Sequence, residues 1–136
     1  MSSTLRSVTR VLTNNAVTEV AGVQILAVPA YNSNHPKGSG NGYVVSIGGK
    51  NIYMAGDTGD VAEMRALRDI DVAFLCMNIP YTMDINRAAS ATREFRPKIV
   101  YPYHFQNQDN SFADLNAYKR LVGSDLGIEV RIRKWY

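Results

Sequence analysis

Residues 51–67 read NIYMAGDTGDVAEMRAL, an apolar strand that runs into Gly56-Asp57-Thr58-Gly59 and then into a helical segment. A turn with no task beyond reversing the chain is usually built from Gly and Asn. This one holds a carboxylate, Asp57, at a strand's C-terminal end, where open α/β sheets bind their ligands. Whether Asp57 is a ligand, a base or a helix cap depends on what surrounds it.

Upstream, Tyr43 to Ile47 and Ile52 to Ala55 alternate as strands around GGKN, a hairpin signal. Strands are also expected over 7–12, 16–20 and 23–29, with Asn14-Asn15 and Gly22 as punctuation. Between them and the hairpin lies YNSNHPKGSGNG, 31–42, a loop long enough to suggest function. Downstream, a short helix is expected over 61–68, with Met64 and Leu67 on one face. IDVAFLCM, 70–77, is a continuous apolar strand of the kind buried on both faces. Asp84 is placed to cap a helix through Phe95 that Arg96-Pro97 stops. KIVYPYHF, 98–105, is the next strand, and Ser111 is expected to cap a helix over 112–122. IEVRIRKW, 128–135, closes the chain as a half-exposed edge strand. Strands followed by alternating α and β predict an α/β fold, a helix layer on a mainly parallel or mixed sheet. No repeat or internal boundary interrupts residues 1–136, which read as one domain.

Composition narrows the classes. With 46 % hydrophobic and 20 % charged residues the chain is globular, not disordered. A net charge of +3 and a terminal RIRKW cluster make no basic stripe, which argues against nucleic acid as a partner. No apolar run is of membrane-spanning length, and MSSTLRSVTRVL lacks the apolar core of a signal peptide. One cysteine excludes an intramolecular disulfide, and a cytoplasmic location is expected. Cys76 lies inside an apolar run and reads as a small buried hydrophobe rather than a nucleophile.

Few groups remain for chemistry. His104 follows VYPY directly, so its strand aims it at the rim that Asp57 occupies after IYMA. Two metal-competent side chains on one rim make a site. The residues alone leave a second reading open, in which His104 bonds a loop and Asp57 caps the helix after it. His35 lies in the Gly-rich loop, which can fold over the rim and bring His35, Tyr31 or Asn32 to a substrate. There is no Gly-x-Ser-x-Gly elbow and no Walker sequence, and GSGNG precedes a strand instead of opening a helix.

Four segments together resemble a known family. VPAYN, GNGYVVSIGGKNIYMAGDTGD, DVAFLCMNIPYTMD and AASATREFRPKIVYPYHF, in that order and spacing from about Val17 to about Phe105, look like the metallo-β-lactamase superfamily. The likeness is to its small-substrate and lactonase-like hydrolases. The resemblance implies that Asp57 bridges two metal ions, usually zinc, sometimes manganese or iron, and that His104 is a ligand of the second. It also implies a shared metal-bound hydroxide attacking a small ester, lactone, amide or phosphodiester. Tyr81, Thr82 and Met83 fall where relatives line the substrate pocket, beside Tyr31, Asn32 and His35 from the loop.

Two departures bear on these expectations. The family's His-x-His-x-Asp-His motif is absent, and the two histidines here cannot supply it. Asn32 stands where a further histidine often follows the PA strand. The resemblance therefore covers the C-terminal half of an αββα sandwich: one mixed sheet with helices on one face. The other face, carrying Val23, Ile25, Tyr43, Val45 and Tyr53 or their neighbours, is expected to be apolar and to need a partner. A homodimer or a separate chain carrying the N-terminal half is expected to complete the fold and the metal site. The alternative is a truncated relative without metal or catalysis, serving binding or assembly.

Overall fold

The computed structural model describes residues 10–135. Seven strands form one sheet in sequence order: β1 (Val17–Val20), β2 (Val23–Ala30), β3 (Gly40–Ile47), β4 (Lys50–Met54), β5 (Val72–Cys76), β6 (Ile99–Tyr103) and β7 (Glu129–Val130). The first four are antiparallel and β4 to β7 are parallel, so the sheet is mixed. Tight turns suffice for the antiparallel pairs, whereas each parallel step needs a crossover. Helices α1 (Ala62–Arg65), α2 (Ile85–Phe95) and α3 (Leu115–Val122) supply these crossovers. No helix among the described residues is long and apolar enough to cross a membrane.

The core lies between the helices and one sheet face. Val44, Tyr53, Ala73, Leu75 and Val100 from the strands meet Ala88, Phe95, Tyr118 and Val122 from α2 and α3, all buried. Tyr53 stands edge-on to Phe95, with ring centroids 6.1 Å apart. Helix α2 begins at Asp84, whose carboxylate accepts the Arg87 N–H at 2.8 Å, and ends at Arg96 in a left-handed conformation before Pro97.

The strand register places Ile25, Tyr43, Val45, Ile52, Met54, Phe74, Tyr101 and Tyr103 on the opposite face. These side chains are half-buried or exposed, with Met54 41 % exposed. Phe74 stacks on Tyr101 at 5.3 Å. The apolar face expected from the alternation is therefore present, with one correction. Tyr53 pairs with Val44 and points into the helix-covered core, while its neighbours Ile52 and Met54 point outward.

Several boundaries differ from the pattern reading. The strand expected over 7–12 falls mostly outside the described residues, and its remainder is irregular. Helix α1 stops at Arg65 because 66–69 turn through Asp69 at positive φ, which delivers Ile70 into the core. Ser111 is not a helix cap. It gives both its N–H and its hydroxyl to Asp109 Oδ1, and Asp114 caps α3 by accepting the Ala117 N–H at 2.9 Å. The last strand is cut to Glu129–Val130 although its alternation continues. Arg131 N–H reaches the Val100 carbonyl, but the next position along that edge of β6 is Pro102, which has no N–H to offer. The Pro102 carbonyl instead accepts the indole N–H of Trp135 at 2.7 Å.

Candidate metal centre

Three parallel strands end on one rim, and each is followed by a polar side chain: Asp57 after β4, Asn78 after β5 and His104 after β6. Because β5 lies between β4 and β6, the flanking residues meet across it. His104 Nδ1 lies 2.8 Å from Asp57 Oδ1, although 47 residues separate them. Both side chains are open to solvent, 38 % and 59 % exposed. Asp57 does not cap the helix after it, because the N-cap of α1 is Val61 and no side chain caps it.

The turn that carries Asp57 is held from every side. Gly56 sits at φ +65°, and a Cβ there would lie 2.9 Å from the Asn41 carbonyl oxygen, so only glycine fits. Tyr103 donates its hydroxyl to the Gly56 carbonyl at 2.8 Å. Asn32 donates to the Asp57 carbonyl at 2.7 Å, and Gly59 N–H bonds the Tyr31 carbonyl at 2.7 Å. Buried Thr58 receives the Cys76 thiol on its carbonyl at 3.3 Å. Burial, reinforced by the Asp57 charge, pushes that thiol up to about 12, so Cys76 is neutral at physiological pH.

The remaining residues expected at the site are dispersed around it. Tyr31 gives its hydroxyl to Glu63 at 2.9 Å, and that bond holds the phenol above its usual range. Lys37 also bonds Glu63, whose carboxyl it holds below the usual range, and its ammonium lies over the Tyr31 ring. His35 Nδ1 reaches Asn32 Oδ1 at 3.2 Å, so it touches the site only through Asn32. Tyr81 is half-buried in the loop after β5. Thr82 bonds Asn78, and Met83 is 1 % exposed within the core.

A cavity of about 540 Å³ adjoins the rim on the open sheet face, lined by Tyr43, Met54, Phe74, Tyr103, His104 and Trp135 among others. Of the residues expected at the site, only His104 lines it. Sequence reasoning missed Asn78 and Trp135. Asn78 directly follows the apolar segment 70–77, with no local signal that marks it. Trp135 belongs to a tail that folds back so that its ring lies 6.5 Å from Tyr101, while Arg131 and Arg133 lie over the same ring.

A carboxylate and an imidazole are donors suited by type to zinc, manganese or iron. In number they fall one short of the three protein ligands typical of catalytic zinc. Among the described residues no cluster of three or more His, Cys, Asp or Glu side chains could hold a metal. Asp57 and His104 thus fit a metal as part of a ligand set.

Comparison with known proteins identifies the family. A family model described as a β-lactamase superfamily domain matches residues 1–104. A UPF0173 metal-dependent hydrolase of Pyrococcus abyssi is 35 % identical over 125 residues, covering 86 % of this chain and 56 % of that protein. The crystal structure of a protein assigned as a metal-dependent hydrolase from Parabacteroides distasonis superposes with a TM-score of 0.81 at 44 % identity, over 91 % of this chain and 57 % of that one. A Thermotoga maritima structure assigned to the metallo-β-lactamase superfamily shares the fold at 20 % identity, with a TM-score of 0.68 over 90 % of this chain and 70 % of its own. The chain spans about half the length of the curated relatives it matches. On the family match over residues 1–104 and the single mixed sheet, this chain belongs to the β-lactamase superfamily and carries part of its metallo-β-lactamase fold.

Proposed function

We propose that the chain carries part of a metal-dependent hydrolase centre, with Asp57 and His104 as metal ligands. The observation that carries this reading is the approach of Asp57 Oδ1 to His104 Nδ1 on the rim where β4 and β6 end. The remaining ligands come from a second sheet packed on the open face, either a second copy of this chain or a chain carrying the part of the relatives' length not matched here. The apolar character of that face, with Phe74 stacked on Tyr101 at its centre, supports such a partner.

A bound divalent metal supplies Lewis acidity toward the scissile group and toward water. Asp57 would hold such a metal through its carboxylate and His104 through a ring nitrogen. Asn32 and Tyr103 fix the turn from which Asp57 projects. Tyr43, Met54 and Phe74 form an apolar wall beside His104, with room for a small ester, lactone, amide or phosphodiester. Zinc, manganese and iron are all compatible with this donor pair.

A second reading has its own support. Two ligands with no third among the described residues describe equally a member that binds or assembles without catalysis. Elemental analysis across a size-exclusion peak separates the two. We expect near-stoichiometric zinc, manganese or iron that disappears in Asp57→Ala and His104→Ala while the circular dichroism spectrum is retained. Absence of metal after reconstitution, also in the presence of a relative's N-terminal half, overturns the hydrolase reading and leaves the binding module.

A further inference from the structure

Asn78, at the end of the strand between those that carry Asp57 and His104, is 3 % exposed, and both ends of its amide are engaged. Thr82 Oγ accepts the Asn78 backbone N–H at 2.9 Å, so its own proton is free to donate. Besides the Cys76 sulfur, which it also bonds, that hydroxyl has two oxygen acceptors within reach, Asn78 Oδ1 at 2.7 Å and the Asn78 carbonyl at 3.2 Å, and the shorter of these is to Oδ1. With Oδ1 turned toward Thr82, Nδ2 faces His104 Nε2 at 3.3 Å. An amide nitrogen only donates, so the ring nitrogen facing it must carry the lone pair. The imidazole proton then sits on Nδ1, which faces Asp57 Oδ1 at 2.8 Å. The bonds run one way: Thr82 to Asn78, Asn78 to His104, His104 to Asp57.

We infer that Asn78 is a positioning residue for His104 whose side-chain amide acts as a two-way support, donating in the metal-free chain and accepting when His104 holds a metal. The second half of this inference rests on the reading of His104 as a ligand. A metal beside Asp57 needs a ring lone pair on the Asp57 side. If it takes Nδ1, the proton must leave Nδ1 for solvent and one must be taken up at Nε2, which then faces Asn78 as an N–H. Asn78 then meets an N–H and has to present Oδ1 rather than Nδ2. Thr82 permits the turn, because its hydroxyl can swing from Oδ1 to the Asn78 carbonyl. A partner on a ligand's second nitrogen fixes its tautomer and orientation, and losing such a partner typically weakens metal binding by about 10–100-fold.

The test is nitrogen-15 NMR of the imidazoles, of which there are two, His35 and His104. It is run on the metal-free chain at about pH 9, above the ordinary histidine range. We expect His104 as the Nδ1–H form in the wild type and in Thr82→Ser, which keeps the hydroxyl. In Asn78→Asp, where a pure acceptor faces Nε2, proton density should move onto Nε2. An Nε2–H form in the wild type, which needs no variant, overturns the relay, as does an Asn78→Asp spectrum identical to wild type in a folded chain. Zinc titration in competition with a chelator then tests the supporting role, with about tenfold weaker binding expected in Asn78→Ala and near wild-type binding in Thr82→Ser. Equal zinc affinity in Asn78→Ala and wild type overturns that role. The tautomer responding while the wild type takes up no zinc, also in the presence of a relative's N-terminal half, leaves the relay standing and removes the hydrolase reading. Zinc uptake with an indifferent tautomer does the reverse.

Discussion

His104 holds a left-handed backbone, φ 46°, immediately after β6, a region uncommon for residues other than glycine, although Asn, Asp and His enter it more often than most. The conformation turns the ring off the strand and toward Asp57, so local strain at this residue accompanies its candidate role. A Cβ in this region costs about 1–2 kcal/mol. His104→Gly is therefore expected to be more stable than His104→Ala by about 1 kcal/mol, read by urea denaturation, with both lacking the Asp57 hydrogen bond. Equal stability of the two variants would remove the claim of strain. Asp57 and His104 were legible as a pair because each ends an apolar strand. Asn78 was not, because its partners are a threonine four residues on and a histidine 26 residues on, and only the first is local.

Helices α2 and α3 are tied at their ends by charge as well as by the core. Arg93 on α2 donates to Asp125 through two nitrogens, at 2.7 and 2.9 Å, and to the Val122 carbonyl that closes α3. That hydrogen bonding holds the Asp125 carboxyl down at about 2, from an ordinary 3.8. A carboxyl lowered by folding adds stability above its unfolded value and loses it as pH falls through its folded one. A melting temperature that declines between about pH 4 and pH 2, with a shallower decline in Asp125→Asn, is the expected profile. Parallel wild-type and variant curves over that interval would show that the pair adds nothing to the attachment of α3. The caps of the two helices differ in how readable they were. Asp84 precedes an uninterrupted helical pattern, whereas Ser111 and Asp114 both precede one. The choice between them is made by the Ala113 N–H bonding the Phe105 carbonyl, which keeps 111–113 extended.

The whole molecule has two unlike sides. One sheet face is closed by helices, and the other presents Val45, Ile52, Met54, Phe74 and Tyr101. A contiguous apolar surface of this kind is a docking surface or an aggregation liability. Self-association at micromolar concentration is expected, and Phe74→Glu at the centre of the stack should shift the sedimenting species toward monomer without changing the helix signal. A wild-type chain that is strictly monomeric in the same experiment would show that the face tolerates water unaided.

The amino-acid sequence by itself determined the order of strands and helices, the cap at Asp84 and the placement of Asp57 and His104 at strand ends. These are encoded in periodicity and in residues that act on their immediate neighbours. The tertiary structure decided which strand lies between those two, and so brought Asn78 to His104. It also turned Tyr53 inward and its neighbours outward, and cut β7 short at Pro102. Each of these depends on strand adjacency and register between paired segments, local in the β3–β4 hairpin and distant elsewhere, where a shift of one residue moves every side chain to the other face.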